Sequence, residues 1–196
     1  QYRYSHDNRI WEQWISYGTY TSSPWSWSFA PPSGDGYYEF RSFAQDHAGN
    51  TKVGSAAESR CGLDRVAPMS SINSILPYWQ VSLPSTITAT ATDDRSGVRG
   101  VTLWYRHSFN NATWGSLSEF GFSGEPSAWG FSAPLGDGYY EFYGVAEDEA
   151  GNTEIVPISA DAGCAIVDVE RSFPYLWFCG NVDDHDPEHY FPCSFY

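Results

Sequence analysis

Regular alternation of apolar and polar residues predicts β-strands in the second half of the chain. From Thr86 to Thr92, every second residue is Ile or Ala and the residues between them are threonines. A period of two is typical of a strand with one buried face. Segment 101–106 alternates similarly, and the polar segment 93–97 separates the two runs as a turn. In segment 139–146 a strand would place Tyr140, Phe142, Gly144 and Ala146 on one face and Tyr139, Glu141, Tyr143 and Val145 on the other. This pattern predicts an all-β fold built from short strands.

The chain also repeats itself. The heptapeptide Gly-Asp-Gly-Tyr-Tyr-Glu-Phe occurs at 34–40 and again, unchanged, at 136–142, an offset of 102 residues. Upstream and downstream matches, including Trp11 with Trp114 and Cys61 with Cys164, have an offset of 103. Loops tolerate such small changes in length. The repeating unit is about a hundred residues, the size of an immunoglobulin-like sandwich.

The two copies predict unequal domains. Residues 68–169 form a complete unit, called unit 2 below. Gln1 aligns with Trp104, so residues 1–67, called unit 1, have no counterpart of residues 68–103. We therefore expect unit 1 to lack its first strands. Residues 170–196 belong to neither copy and are treated as a carboxy-terminal tail.

Three segments carry a family resemblance. Residues 87–98, 103–106 and 136–154 resemble the tandem Ig-like and fibronectin type III-like domains of archaeal and bacterial surface proteins, and segment 57–68 resembles the junction between such domains. The resemblance implies tandem β-sandwiches in a secreted, modular, surface-attached protein. It implies no catalytic activity, because sandwiches of this kind host many functions.

Composition agrees with an extracellular, cell-surface location. The 196 residues include 24 acids against 10 Lys and Arg, a formal charge of −14, which argues against nucleic-acid binding because phosphate contacts need clustered cations. No apolar run approaches the roughly 20 residues of a membrane span. Cysteines in an acidic, aromatic chain favour an oxidising compartment. No nucleophile elbow, HExxH motif or phosphate-binding glycine loop occurs, so we do not expect an enzyme.

Acidic residues in turns raise the question of calcium. Asp93, Asp94, Asp137 and Asp148 offer carboxylates of the kind that hard cations bind. The alternative is that such aspartates bond their own backbone. No other cofactor is expected.

Two pairs of residues mark equivalent hairpin turns, with a conformational rather than a chemical role. Gly49-Asn50 and Gly151-Asn152 occupy the same place in the repeat, where positive φ is expected. Asn111 begins a glycosylation sequon in the loop after the Tyr105 strand.

Trp25 and Trp27 have two interpretations. Alternation puts both on one face with Phe29, which favours core or interface packing. The alternative is a sugar-stacking surface that contacts glycans or another cell.

The tail contains two cysteines and two histidines, Cys179, His185, His189 and Cys193, whose residue types also suit tetrahedral zinc. A disulfide between Cys179 and Cys193 is favoured, since closing a loop of about fourteen residues stabilises by roughly 3 kcal/mol. Cys61 and Cys164 are expected a domain length apart, too far to pair with each other.

The tail also suggests how the protein assembles. Residues 173–179 are apolar on both alternating faces, as expected of a strand buried on both sides. The sequence predicts a head-to-tail homopolymer in which the tail of one copy donates strands to unit 1 of the next. The alternatives are a secreted adhesin or glycan-binding module, and a fragment of a longer multidomain surface protein. The candidate donor residues are Phe173, Tyr175, Leu176, Trp177 and Phe178.

Overall fold

The computed structural model describes residues 1–167, and these are all-β with no α-helix. Consequently, no helix in that range is long and apolar enough to cross a membrane. The strands in chain order are β1 (Tyr2–Ser5), β2 (Gly36–Phe40), β3 (Phe43–Gln45), β4 (Thr51–Val53), β5 (Ser59–Leu63), β6 (Met69–Ile72), β7 (Trp79–Gln80), β8 (Ser85–Thr92), β9 (Val98–Ser108), β10 (Ser118–Gly124), β11 (Ala128–Phe131), β12 (Gly138–Asp148) and β13 (Ala162–Ile166).

Unit 2 consists of two sheets that face each other. One sheet has the strand order β10-β9-β12-β13-β7 and the other has the order β11-β8-β6. The alternation of β8 has its expected effect, because Ile87 is fully buried while the flanking threonines are more exposed. Burying one such side chain contributes about 1.5–3 kcal/mol. The core includes Ile72, Ile87, Leu103, Tyr105, Phe131, Tyr140, Phe142, Cys164 and Ile166.

Unit 1 contains only part of this architecture. Its main sheet has the order β1-β2-β5, and β3 and β4 form a separate hairpin. The register repeats that of unit 2: Tyr38 lies opposite Cys61 in the β2–β5 pair, and Tyr140 lies opposite Cys164 in the β12–β13 pair. The sequence repeat is therefore also a structural repeat.

The two units meet at the segment that follows β5. The carboxylate of Asp64 accepts the backbone N–H of Ser96 at 2.9 Å, and the side-chain amide of Asn152 donates to the Asp64 carbonyl at 3.2 Å. Arg95 Nη1 donates to the carbonyl of His6 at 3.0 Å. These contacts place the near end of unit 2, including the turn after β12, against the end of β5.

Several predicted features lie outside the described residues. The disulfide between Cys179 and Cys193 and the donor residues Phe173 to Phe178 belong to segment 168–196. Within residues 1–167, Cys61 and Cys164 are both free thiols, and they differ in burial: Cys164 is buried and Cys61 is exposed.

Candidate functional site

An aromatic cluster occupies the inner face of each unit. In unit 2 the ring centroid of Phe131 lies 5.1 Å from that of Tyr140 and 4.9 Å from that of Phe142. In unit 1 the counterpart Phe29 lies 5.2 Å from Tyr38 and 4.8 Å from Phe40. Equivalent aromatic residues therefore pack against one another in the same way in both units.

The core of unit 1 is nevertheless left open. Trp129 is 8% exposed, whereas its counterpart Trp27 is 46% exposed. Cys164 is fully buried, and its counterpart Cys61 is exposed. We call the under-covered residues of unit 1 the open face. Its members are Trp27, Phe29, Phe40, Ala44 and Cys61, and each is more exposed than its counterpart among Trp129, Phe131, Phe142, Ala146 and Cys164.

The difference in exposure arises because, in the part of the chain that the structure describes, unit 2 has a second sheet over its inner face and unit 1 does not. In unit 2, β8 and β6 cover the inner face, and β8 also pairs with β11 through Ala128 opposite Thr88. Residues 1–67 contain no counterpart of β6 or β8, and residues 26–29, which correspond to β11, form no strand. Trp25 and Trp27 therefore do not lie in a core of their own chain, and the interface packing that their alternation also favours stays a prediction.

The outer face of unit 1, in contrast, is covered by ion-paired side chains and tryptophan rings. Glu39 is 2% exposed and accepts hydrogen bonds from Arg3 Nε at 2.7 Å and Arg60 Nε at 3.1 Å. Arg3 lies over the rings of Trp11 and Trp14, at 5.1 and 4.7 Å from their centroids. Such contacts add favourable cation–π interactions to the ion pairs. The inner face, where Tyr38 is buried but the open-face residues are not, is the less covered of the two.

The Glu39 carboxylate stays ionised in this setting. Burial by itself would raise the pKa of Glu39, but the hydrogen bonds and charges of Arg3 and Arg60 outweigh burial and hold the pKa below its ordinary value of 4.5. The counterpart in unit 2 is a simpler pair, in which Arg106 bonds Glu141 and lies 5.1 Å from the Trp114 ring. Sequence reasoning missed this cluster, although Arg3, Glu39 and Trp11 all lie at repeated positions.

The structure does not gather the four aspartates considered for calcium. Asp137 precedes β12 and Asp148 ends it, so they lie at opposite ends of an eleven-residue strand. Asp93 and Asp94 come together instead with Asp64, and one oxygen from each lies within 4.8 Å of the others. Asp93 accepts backbone N–H groups from Arg95 at 2.9 Å and Gly97 at 2.7 Å. The sequence analysis did not include Asp64 in this group of carboxylates. Its position in the junction segment was the feature that could have pointed to it.

The remaining predicted residues lie at the surface or in turns. Asn111 is exposed in the loop after β9, with φ of 55°. Gly49 and Gly151 adopt φ of 91° and 90° in equivalent turns. Asn50 and Asn152 do not adopt positive φ in these turns. Their side-chain amides donate to the carboxylates of Asp46 and Asp148 instead.

No protein-family model matches the chain, and no curated protein is significantly similar to it.

Proposed function

We propose that this protein is a structural subunit of an extracellular filament or cell-surface assembly. Its two units are Ig-like or fibronectin type III-like sandwiches in tandem, and unit 1 is completed by strands from the tail of another copy. The observation that carries the proposal is the open face, since these five positions are buried in unit 2 and more exposed in unit 1.

An uncovered aromatic sheet face is costly in water and favours association. Apolar burial contributes roughly 25 cal/mol per Å², and large exposed apolar patches mark interaction sites. A three-stranded sheet whose inner face is only partly covered gains most from added strands, which bring both backbone hydrogen bonds and side chains for the core. The open face thus fits a β-strand donor better than it fits a globular partner.

The tail has the composition of such a donor. Residues 173–179 read Phe-Pro-Tyr-Leu-Trp-Phe-Cys and are apolar on both faces. The tail follows Asp168 as the first strands of unit 2 follow Asp64, so it stands where another unit would begin. Donation from the end of one copy to the beginning of the next is a heterologous contact, and such a contact propagates as a filament unless it closes into a ring.

A structural role fits the rest of the molecule better than catalysis does. The buried charge of Glu39 is paired with Arg3 and Arg60 across neighbouring strands. The acidic turn residues Asp46 and Asp148 bond within their own turns. The hydrogen bonds and ion pairs of these acidic residues therefore explain them as structural groups. The formal charge of −14 suits a solvated exterior.

One observation favours a second function. Trp25 is 66% exposed and Trp27 is 46% exposed, and they lie two residues apart on unit 1. Exposed aromatic rings can stack on sugars, so an adhesin or glycan-binding module is the rival proposal. A third explanation is that the sequence is part of a longer surface protein in which preceding strands cover the open face.

Removing the tail separates these explanations. The full chain is expected to form filaments by negative-stain electron microscopy and to sediment as a polymer. The chain shortened to end at Asp168 is expected to stay monomeric, and a synthetic peptide of residues 169–196 is expected to raise its melting temperature. Filaments from the shortened chain, or a full chain that remains monomeric at every concentration, would contradict the proposal. A peptide of the same composition in scrambled order is the control.

A further inference from the structure

The edge of β5 away from β2 corresponds to an edge of β13 in unit 2 that pairs with a further strand. There, β13 has β12 on one side and β7 on the other, and β7 runs parallel with Trp79 opposite Ala165. Ala165 N–H donates to the Tyr78 carbonyl and Val167 N–H donates to the Gln80 carbonyl, both at 2.9 Å. In unit 1, β5 corresponds to β13 and pairs with β2, and within residues 1–167 no strand lies on its other side.

The repeat identifies the groups that this edge offers. In strand register, Gly62 and Asp64 occupy the places of Ala165 and Val167, so the N–H groups of these two residues are the donors toward an added strand. A cavity of about 250 Å³ adjoins the edge. On unit 1 it is lined by Tyr37, Gly62, Leu63 and Asp64, and on unit 2 by Arg95, Ser96, Glu149 and Ala150.

The tail contains a sequence similar to the strand that fills the edge in unit 2. Residues 76–78, directly before β7, read Leu-Pro-Tyr, and residues 173–175 read Phe-Pro-Tyr. Each triplet is followed within two residues by Trp, as Trp79 and Trp177. Proline at the start suits a strand that adds at an edge, because its missing N–H then costs no ladder hydrogen bond.

We propose, building on the function proposed above, that residues 174–178 of a second copy add to β5 as a parallel strand. In the register of β7, Tyr175 lies opposite Cys61, Leu176 opposite Gly62 and Trp177 opposite Leu63. The carbonyls of Tyr175 and Trp177 accept the N–H groups of Gly62 and Asp64.

The contact also supplies side chains that unit 1 lacks. In unit 2, the ring of Trp79 lies 6.0 Å from that of Tyr139. The counterpart of Tyr139 is Tyr37, which is half-buried and lines the cavity. Leu176 takes the place of Trp79 and covers Tyr37. Tyr175 takes the place of Tyr78 and covers the exposed Cys61.

A donor that runs parallel to β5 has to come from another copy. β12 runs from Gly138, opposite Ile166, to Asp148 beside the junction. Ten steps of about 3.3 Å put the end of β13 about 33 Å from the junction. Trp177 follows Val167 by ten residues, which span at most about 36 Å. A tail folded back on its own chain would therefore only just reach Gly62, and it would run antiparallel to β5.

A cysteine placed in the tail tests both partner and register. Cys179→Ser and Cys193→Ser remove the other tail thiols, and Tyr175→Cys is added to that background. Facing residues on neighbouring strands lie within the Cα separation that a disulfide accepts. Mild oxidation is expected to give a ladder of covalent oligomers on a non-reducing gel, with a Cys61 to position 175 link identified by mass spectrometry. Cys61→Ser is expected to abolish the ladder.

Leu176→Cys in the same background is the matched control. Its side chain points to the opposite face of the strand, so we expect at least tenfold less cross-linking. Equal linking at 176, a link within a single chain, or filaments without any link at 175 would overturn this register while leaving filament formation intact. Failure of the unmodified chain to form filaments would overturn both proposals.

Hydrogen exchange on the unmodified chain provides a measurement that needs no substitution. The amides of Gly62 and Asp64 are expected to exchange at least tenfold more slowly in filaments than in the chain ending at Asp168. Unchanged exchange at these two amides in filaments would overturn the assignment of the β5 edge.

Discussion

The Asp148 carboxylate accepts the backbone N–H of Asn152 at 2.8 Å, and Asp46 makes the same bond to Asn50 at the same distance. The two turns agree in detail although their surroundings differ. Asp148 is fully buried, whereas Asp46 is exposed. The turn geometry is therefore specified by its own residues and does not depend on the covering sheet of unit 2.

Substitution of Gly151 by Val is expected to destabilise unit 2 by about 1–2 kcal/mol. Gly151 has φ of 90°, and no atom lies within 4 Å of the position that a Cβ would take. The cost therefore comes from backbone strain and not from a clash. Urea unfolding monitored by tryptophan fluorescence measures the change.

Gly124→Ala is the control for this effect. A Cβ at Gly124 meets only the Arg99 carbonyl at an ordinary 3.7 Å, and its φ lies outside the left-handed region. We expect a change within about 0.5 kcal/mol. A Gly151→Val variant as stable as Gly124→Ala would contradict the assigned turn conformation.

Replacing the buried carboxylate of unit 1 is expected to cost more than replacing its counterpart in unit 2. Glu39→Gln removes the charge that Arg3 and Arg60 share, and hydrogen bonds to charged groups contribute about 2 kcal/mol. Glu141 is 26% exposed and its ion pair is with Arg106, so Glu141→Gln should cost less. Thermal unfolding of the two variants side by side makes the comparison.

The same carboxylate predicts a pH dependence with a definite sign. The pKa of Glu39 in the folded chain lies below its ordinary value of 4.5, so its contribution is complete above that value. The contribution is lost as the pH falls through the lowered folded-state pKa. The stability difference between the parent chain and Glu39→Gln should therefore shrink below about pH 4.5, and a difference that grows on acidification would refute the ion-pair account.

The two described cysteines are expected to react at very different rates. Burial raises the pKa of the Cys164 thiol to about 11, and its side chain is fully covered. Cys61 is exposed on the open face. A maleimide reagent at pH 7.5 should label Cys61 within minutes and Cys164 only after denaturation, as followed by mass spectrometry of tryptic peptides.

Assembly adds a control to the labelling experiment. Filament formation is expected to protect Cys61, because strands added to unit 1 would cover it as Cys164 is covered in unit 2. Cys61 labelled equally fast in filaments and in the chain ending at Asp168 would show that the open face stays uncovered on assembly.

The sequence predicted the β-rich fold well because strand signals are local. The alternation from Thr86 to Thr92 and the repeated heptapeptide depend on neighbouring residues and on internal comparison, which one chain supplies. The exposure of Trp25 and Trp27 in the single chain has a non-local cause. Their alternation is that of a strand, but residues 26–29 form none without a neighbour corresponding to β8.

Side-chain clusters were equally difficult to predict, since they join residues that are distant in sequence. Glu39 meets Arg3 across 36 residues, and Asp64 approaches Asp93 across the junction of the two units. Neither approach follows from spacing alone, because each depends on strand order and register. The repeat could have pointed to the first cluster, as the pair of Arg106 and Glu141 recurs at the equivalent positions.

Trp27→Ala distinguishes an assembly surface from a sugar-binding surface. In the structural proposal, donated strands bury Trp27 as Trp129 is buried in unit 2. The loss of about 1.5 kcal/mol of burial should raise the concentration needed for assembly at least tenfold. The isolated chain should lose little stability, because Trp27 is already 46% exposed. Phe109→Ala, at an 82% exposed aromatic residue of unit 2, is the matched control and should leave assembly unchanged. Light scattering against concentration measures the threshold, and a glycan array run on the same two proteins tests the rival. Unchanged assembly together with a lost glycan signal in Trp27→Ala would favour the adhesin and count against strand donation.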